Sequence, residues 1–229
     1  MPRRSTVVLT GFAAVAAVDL VAEFAGLALL ALVCRALLMP LLAVYLLLAA
    51  RRRNRLVILV VVALGFSWLG DFVSQQIMIK LGFFLLAQIV YVVAFRPYWR
   101  HSLITRPPLL VLYGLALTGL TGIVAVAAGP LAVPVAVYGA SLAVMAVLAT
   151  GVSRLTGVGG ALFLVSDIVL AVDAFVAPEL IPYAAFVNMA LYLPAQLVIV
   201  LGVCRRVCAE TVATDTAADG SGLRGRARR

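Results

Sequence analysis

Histidine is almost missing from this chain of 229 residues: His101 is the only one, and it lies in a basic connection between apolar runs. No histidine falls inside an apolar segment, and no His/Cys/Asp cluster has zinc-ligand spacing. A histidine-liganded metallohydrolase and a Ser-His-Asp hydrolase are therefore both excluded. There is no phosphate-cradling Gly-rich motif followed by lysine and no dinucleotide fingerprint, so the sequence asks for no metal and no cofactor. The three cysteines build no disulfide framework. Cys34 sits within an apolar run as a small packing residue. Cys204 and Cys208 sit near the inner end of the last run, where thiols stay reduced.

Charge is scarce as well. Only 12% of residues are charged against 65% hydrophobic, and the mean hydropathy is +1.18. Such values belong to polytopic membrane proteins. Apolar runs separated by short basic or Gly/Pro-containing segments give eight candidate spans, at 6–23, 26–49, 56–74, 79–96, 108–127, 131–150, 156–175 and 182–204. Each is close to the ~20 residues that a helix needs to cross a ~30 Å hydrocarbon core. Lipid offers no hydrogen bonds to the backbone, so runs of this kind are helices. The expected fold is all-α: an eight-helix transmembrane domain over residues 1–208, then a disordered basic tail over 209–229.

The charges set an orientation. Arg3 and Arg4 precede the first span, and Arg51, Arg52, Arg53 and Arg55 follow the second. Arg96, Arg100 and Arg106 follow the fourth, Arg154 the sixth, and Arg205 and Arg206 the eighth. The alternate connections carry only Glu23, Lys80 and Glu179. Cytoplasmic loops concentrate Lys and Arg, which puts both termini in the cytoplasm and the protein in a plasma membrane, a bacterial inner membrane being the expected one. The first span is expected to remain as a helix rather than be removed as a signal peptide. The net charge of +9 reflects this topology. It is no nucleic-acid footprint, because no basic patch interleaved with aromatics stands on a foldable soluble segment. Membrane lipids are the expected surroundings, and the arginine-ended tail is suited to anionic headgroups.

What stands out within the apolar runs is a pair of carboxylates in related settings. Phe66-Ser67-Trp68-Leu69-Gly70-Asp71 is followed downstream by Ala87-Gln88-Ile89-Val90-Tyr91. Phe163-Leu164-Val165-Ser166-Asp167 is followed by Ala195-Gln196-Leu197-Val198. The copies are four spans apart and so share an orientation, which suggests a parallel repeat of spans three and four in spans seven and eight. An acidic residue at membrane depth costs several kcal/mol or more and marks a functional site. Asn188, Tyr192 and Gln196, at i, i+4 and i+8, form one polar stripe on span eight, and Gln88 and Tyr91 form a shorter one on span four. Such stripes also serve as interhelical glue. Asp173 lies nearer the outer surface than Asp167. Arg35 is expected to snorkel or to pair with an acid such as Asp19. Gly114, Gly119, Gly122, Gly139, Gly157 and Gly160 read as close-packing positions. Pro40 and Pro194 each free a backbone carbonyl within a span, near the expected site.

Two carboxyls in a low-dielectric pocket allow one to act as general acid and the other as base. That equipment suits hydrolysis of a bond that needs no strong nucleophile. It suits a proton-coupled carrier of lipid or another small molecule equally well. An intramembrane aspartyl protease also uses a Gly-Asp motif, but the segments around Asp71 and Asp167 lack flanks that would hold an extended peptide.

These motifs resemble the YhhN family of eight-helix membrane proteins, whose animal members are lysoplasmalogenases. The likeness is strongest over residues 64–95, where the family shows Phe-Ser-x-x-Gly-Asp and then Ala-His-x-x-Tyr. It recurs over residues 159–202, through the segment ending Val165-Ser166-Asp167-Ile168 and the Tyr192 to Gln196 stretch. A weaker match runs from Cys34 to Pro40. Gln88 stands where the family has His, Asp173 where Asn is common, and Arg35-Ala36 where Lys-Pro is usual. The resemblance implies hydrolysis of the vinyl ether bond of a lysolipid, giving a fatty aldehyde and a glycerophospho-alcohol. It also implies Asp71 and Asp167 as the catalytic pair, with Gln88, Tyr91, Asp173, Asn188, Tyr192 and Gln196 lining the substrate site.

Overall fold

The structure is a computed structural model, and it describes residues 3–50, 52–72, 76–105, 122–124, 126–178 and 180–226. Among these residues there is no strand. Seven long helices follow the chain: α1 (Arg3–Phe24), α2 (Ala28–Ala49), α3 (Arg55–Phe72), α4 (Ile77–Phe95), α5 (Ala132–Val152), α6 (Arg154–Ala171) and α7 (Ala184–Arg226). Each contains a segment long and apolar enough to cross a membrane. Apart from the C-terminal end of α7, which runs on past residue 204, their bounds follow the predicted spans one to four and six to eight within a few residues. Most of the predicted fifth span, 108–127, lies outside the described residues.

Consecutive helices pack on one another, and α7 additionally touches α1, α2, α3 and α5. It is the inner helix of the bundle, whereas α1 is the most peripheral. α4 and α5 run in the same direction, since Gly151 at the end of α5 packs against Tyr98 just past the end of α4, and the arginines other than Arg35 gather at that end. Glu23, Arg35, Lys80 and Asp173 belong to the opposite end. Large apolar side chains such as Leu29, Val33, Leu37, Ile58 and Val144 face outward, as a lipid-facing surface requires. The interior is a continuous cluster that includes Phe12, Leu42, Tyr45, Leu64, Tyr91, Met145, Phe163 and Ile199.

Local sequence explains several close contacts. Pro40 has no N–H to offer the carbonyl four residues back. That carbonyl, on Ala36, instead accepts the indole N–H of Trp68 at 2.9 Å, which joins α2 to α3. At Gly159 an added Cβ would stand 2.8 Å from the Ala195 carbonyl oxygen and 2.8 Å from the Ile199 nitrogen. The absence of a side chain there lets α6 and α7 touch backbone to backbone. Gly157 and Gly160 do the same against Thr150 and Ala146 of α5, as expected, but Gly122 meets nothing within 4 Å. Gly114 and Gly119 lie outside the described residues.

α7 continues as helix through Arg226. A helix already nucleated in the membrane extends at little cost through Ala- and Thr-containing sequence, and the hydroxyls of Thr211, Thr214 and Thr216 bond back to carbonyls on the preceding turn. Arg35 pairs with acids of α1, as expected: its guanidinium binds Glu23 and stands 3.9 Å from buried Asp19.

Candidate active site

Asp71 is the next-to-last residue of α3, and Asp167 lies in the last two turns of α6. Both are 8% exposed, in the half of the bundle that holds Arg35 and Lys80. They lie within electrostatic reach of each other and of Lys80. Each carboxylate is held by a tyrosine from another helix. The Tyr192 hydroxyl on α7 donates to Asp71 Oδ2 at 2.9 Å, and the Tyr138 hydroxyl on α5 donates to Asp167 Oδ2 at 2.5 Å. The other Asp71 oxygen, Oδ1, has no partner among the described residues.

The rings of Phe84, Phe163 and Tyr192 pack edge to face, with centroids 5.4 to 6.2 Å apart, an arrangement that fixes all three. Gly70 lies against this trio. A Cβ at Gly70 would be 2.8 Å from the Phe84 ring, and Phe84 is wedged on its other sides. The glycine before Asp71 thereby sets how closely α3 approaches α4 at the carboxylate.

The polar stripe of α7 faces inward along its length. Asn188 Nδ2 donates to the Ser166 carbonyl at 2.7 Å, one residue before Asp167. Tyr192 reaches Asp71. Gln196 Nε2 donates to Ser67 Oγ at 3.2 Å, and its Oε1 accepts the Tyr91 hydroxyl at 2.8 Å. Gln88 is fully buried on α4, and neither atom of its amide has a partner among the described residues. It is a buried amide with both its donor and its acceptor open. Asp173 lies apart from the carboxylate pair, in the π-helical turn Val172–Val176 that ends α6.

Gln196→Leu is expected to destabilise the bundle by about 1–3 kcal/mol, because two buried hydroxyls lose their partner together. This exceeds the ~0.6 kcal/mol of an average interhelical hydrogen bond in membranes. A lowered thermal midpoint of the detergent-solubilised protein is the readout, and an unchanged midpoint would deny the bridge any structural weight.

An apolar groove leads from Asp167 to the bundle surface. Its walls are Ile77 and Leu81 of α4, Val135, Gly139 and Leu142 of α5, Leu164, Ile168 and Ala171 of α6, and Phe175. Tyr138 and Asp167 are its polar groups. A second cavity, of about 120 Å³, lies on the other side of α6, lined by Arg35, Lys80, Asp173 and Asn188 among others. Leu170 forms part of both walls.

Sequence reasoning missed Tyr138 and Lys80. A tyrosine within an apolar helix carries no signal of its own, and Tyr138 becomes visible only through the packing of α5 on α6. Lys80 was assigned to topology, although a lysine within one helical turn of a span's outer end was a usable sign of a polar mouth.

Seven helices long and apolar enough to cross a membrane, with buried carboxylates clasped by tyrosines among them, mark an integral membrane protein. The chain belongs to the YhhN family, whose profile matches residues 30–203. That stretch includes every residue of the candidate site. No curated protein and no solved structure was found to match the chain.

Proposed function

We propose that this protein is a membrane-embedded hydrolase of the lysoplasmalogenase type, which cleaves the vinyl ether bond of a lysolipid. The observation that carries this function is the position of Asp167. It is a tyrosine-bonded carboxyl at the head of a groove otherwise apolar apart from Tyr138, with Asp71 in electrostatic reach. The substrate's alkenyl chain lies in the groove and its glycerol end at the carboxylates. Both termini face the cytoplasm, and the site opens toward the opposite leaflet.

The reaction begins with transfer of a proton from one carboxyl to the alkenyl carbon next to the ether carbon. This leaves an oxocarbenium ion at the carbon bonded to oxygen. The other carboxylate stabilises that cation and takes a proton from water as the water adds. Collapse of the hemiacetal breaks the carbon–oxygen bond: the second carboxyl returns its proton to the leaving glycerol oxygen and the first takes the hydroxyl proton, which releases the fatty aldehyde and the glycerophospho-alcohol and restores both acids. One water is consumed and no redox change occurs. We assign the first proton to Asp167, which lines the groove, and the charge-stabilising role to Asp71. Gln88, with its open amide, orients the water.

The test is fatty-aldehyde release by the purified protein, offered a vinyl-ether lysophospholipid and its acyl and saturated alkyl counterparts. Aldehyde from the vinyl ether alone is expected. If no aldehyde appears, and the same lipid crosses a proteoliposome membrane intact when a proton gradient is imposed, the protein is a carrier and the hydrolase assignment is wrong.

A further inference from the structure

Lys80 is the only lysine of the chain, and it stands in the first turn of α4, at the level where a span leaves the hydrocarbon. Its ammonium lies 5.9 Å from the centre of the Phe84 ring, and it has no ion-pair partner among the described residues. With Arg35 it lines the cavity of about 120 Å³, room for several waters or a tetrahedral oxyanion. Arg35 is largely committed to Glu23, although its Nε is buried without a hydrogen-bond partner. Lys80 is thus the cation of this cavity whose charge no carboxylate neutralises by contact. Asp173, on the same wall, offers the opposite pole.

The position of the cavity gives the pair a meaning. It shares Leu170 with the apolar groove, and Asn188 on its floor binds the carbonyl next to Asp167. A chain in the groove and an anion in the cavity would therefore lie on either side of the carboxylates. That is the layout of a lysophospholipid, with its ether bond between chain and phosphate.

We propose that Lys80, assisted by Arg35, seats the phosphodiester of the lysolipid headgroup, and so makes this site select phosphate-bearing ethers over neutral ones. Lys80 makes no contact with the bond that breaks; it is a specificity-determining residue. The proposal rests on the hydrolase function, and its test is chosen to stand apart from turnover.

The ligands are a saturated 1-O-alkyl lysophospholipid, which has no vinyl ether to cleave, and the 1-O-alkylglycerol of the same chain length. Binding of each to the full-length protein in neutral detergent is measured for wild type, Lys80→Met and Lys80→Arg. Lys80→Met is expected to weaken the phospholipid about tenfold, to leave the alkylglycerol unchanged, and to erase the preference between them. Lys80→Arg is expected to keep most of that preference. Equal binding of both lipids by wild type, or an equal loss of both in Lys80→Met, overturns the proposal. A second readout is acylation of Lys80 by an amine-reactive reagent, followed by peptide mass spectrometry. Protection by the phospholipid but not by inorganic phosphate is expected, and protection by inorganic phosphate alone would overturn assignment to a lipid. Phosphate-dependent lipid binding without aldehyde release would defeat the hydrolase function and leave the headgroup seat standing.

Discussion

Asp167→Asn and Asp71→Asn each lower aldehyde release from a vinyl-ether lysolipid by a factor of about 10² to 10⁴, the range for removing a positioned acid or base. Asparagine keeps the size of the side chain and can still accept the tyrosine hydroxyl, from Tyr138 at position 167 or from Tyr192 at position 71. What it removes is the exchangeable proton and the charge. The double variant is expected to be little slower than the worse single one, since residues that act as a unit are not additive. Asp173→Asn provides the contrast, because Asp173 lines the polar cavity and not the groove that holds Asp167, and its loss leaves the chemical step in place. The measurement is single-turnover aldehyde formation by protein that elutes as one monodisperse species. Wild-type rates in both single variants would remove the pair from the mechanism.

Gly159→Ala produces the second large effect, on assembly rather than chemistry. The new methyl group meets the Ala195 carbonyl and the Ile199 nitrogen at 2.8 Å. Those are backbone atoms of α7 and cannot swing aside, so the helices must separate. Overpacking of this kind costs about 1–3 kcal/mol, and the displaced helix is the one that carries Tyr192 and Gln196. Gly82→Ala is the control. Gly82 meets nothing within 4 Å, so alanine there keeps only its helix-propensity gain of about 0.8–1 kcal/mol. Thermal unfolding in detergent should therefore move in opposite directions for two identical substitutions. A shared direction would show that the α6–α7 contact is loose.

The two carboxylates were legible in the sequence because an acid inside an apolar run is anomalous whatever surrounds it. The inward stripe of Asn188, Tyr192 and Gln196 was legible from helical period alone. Which residue each one binds was not. The repeated motifs pointed to two related helix pairs, yet Tyr192 of α7 holds Asp71 of α3, and Tyr91 of α4 is held by Gln196 of α7. These pairings cross between the motif pairs and depend on how the bundle closes. Arg35 was half legible: an acidic partner in the first span was foreseen in Asp19, but Glu23, one turn further on, makes the direct contact. Pro40 shows a favourable case. Its missing N–H guaranteed a free carbonyl, and only the identity of the donor, Trp68, required the structure.

α7 supplies a hydrogen-bonding partner to α3, to α4 and to α6, and it is the last of these helices to leave the ribosome. Until it enters the bilayer, Asp71 lacks its tyrosine, Ser67 and Tyr91 lack their glutamine, and the two halves of the bundle meet chiefly where α4 and its following turn pack on α5. A ribosome that stops before residue 184 therefore leaves a nascent protein with both acids aboard but without the helix that ties their surroundings together. Insertion of the final helix completes the polar network, and chains that stall earlier present unpaired polar groups inside the bilayer for quality control to find.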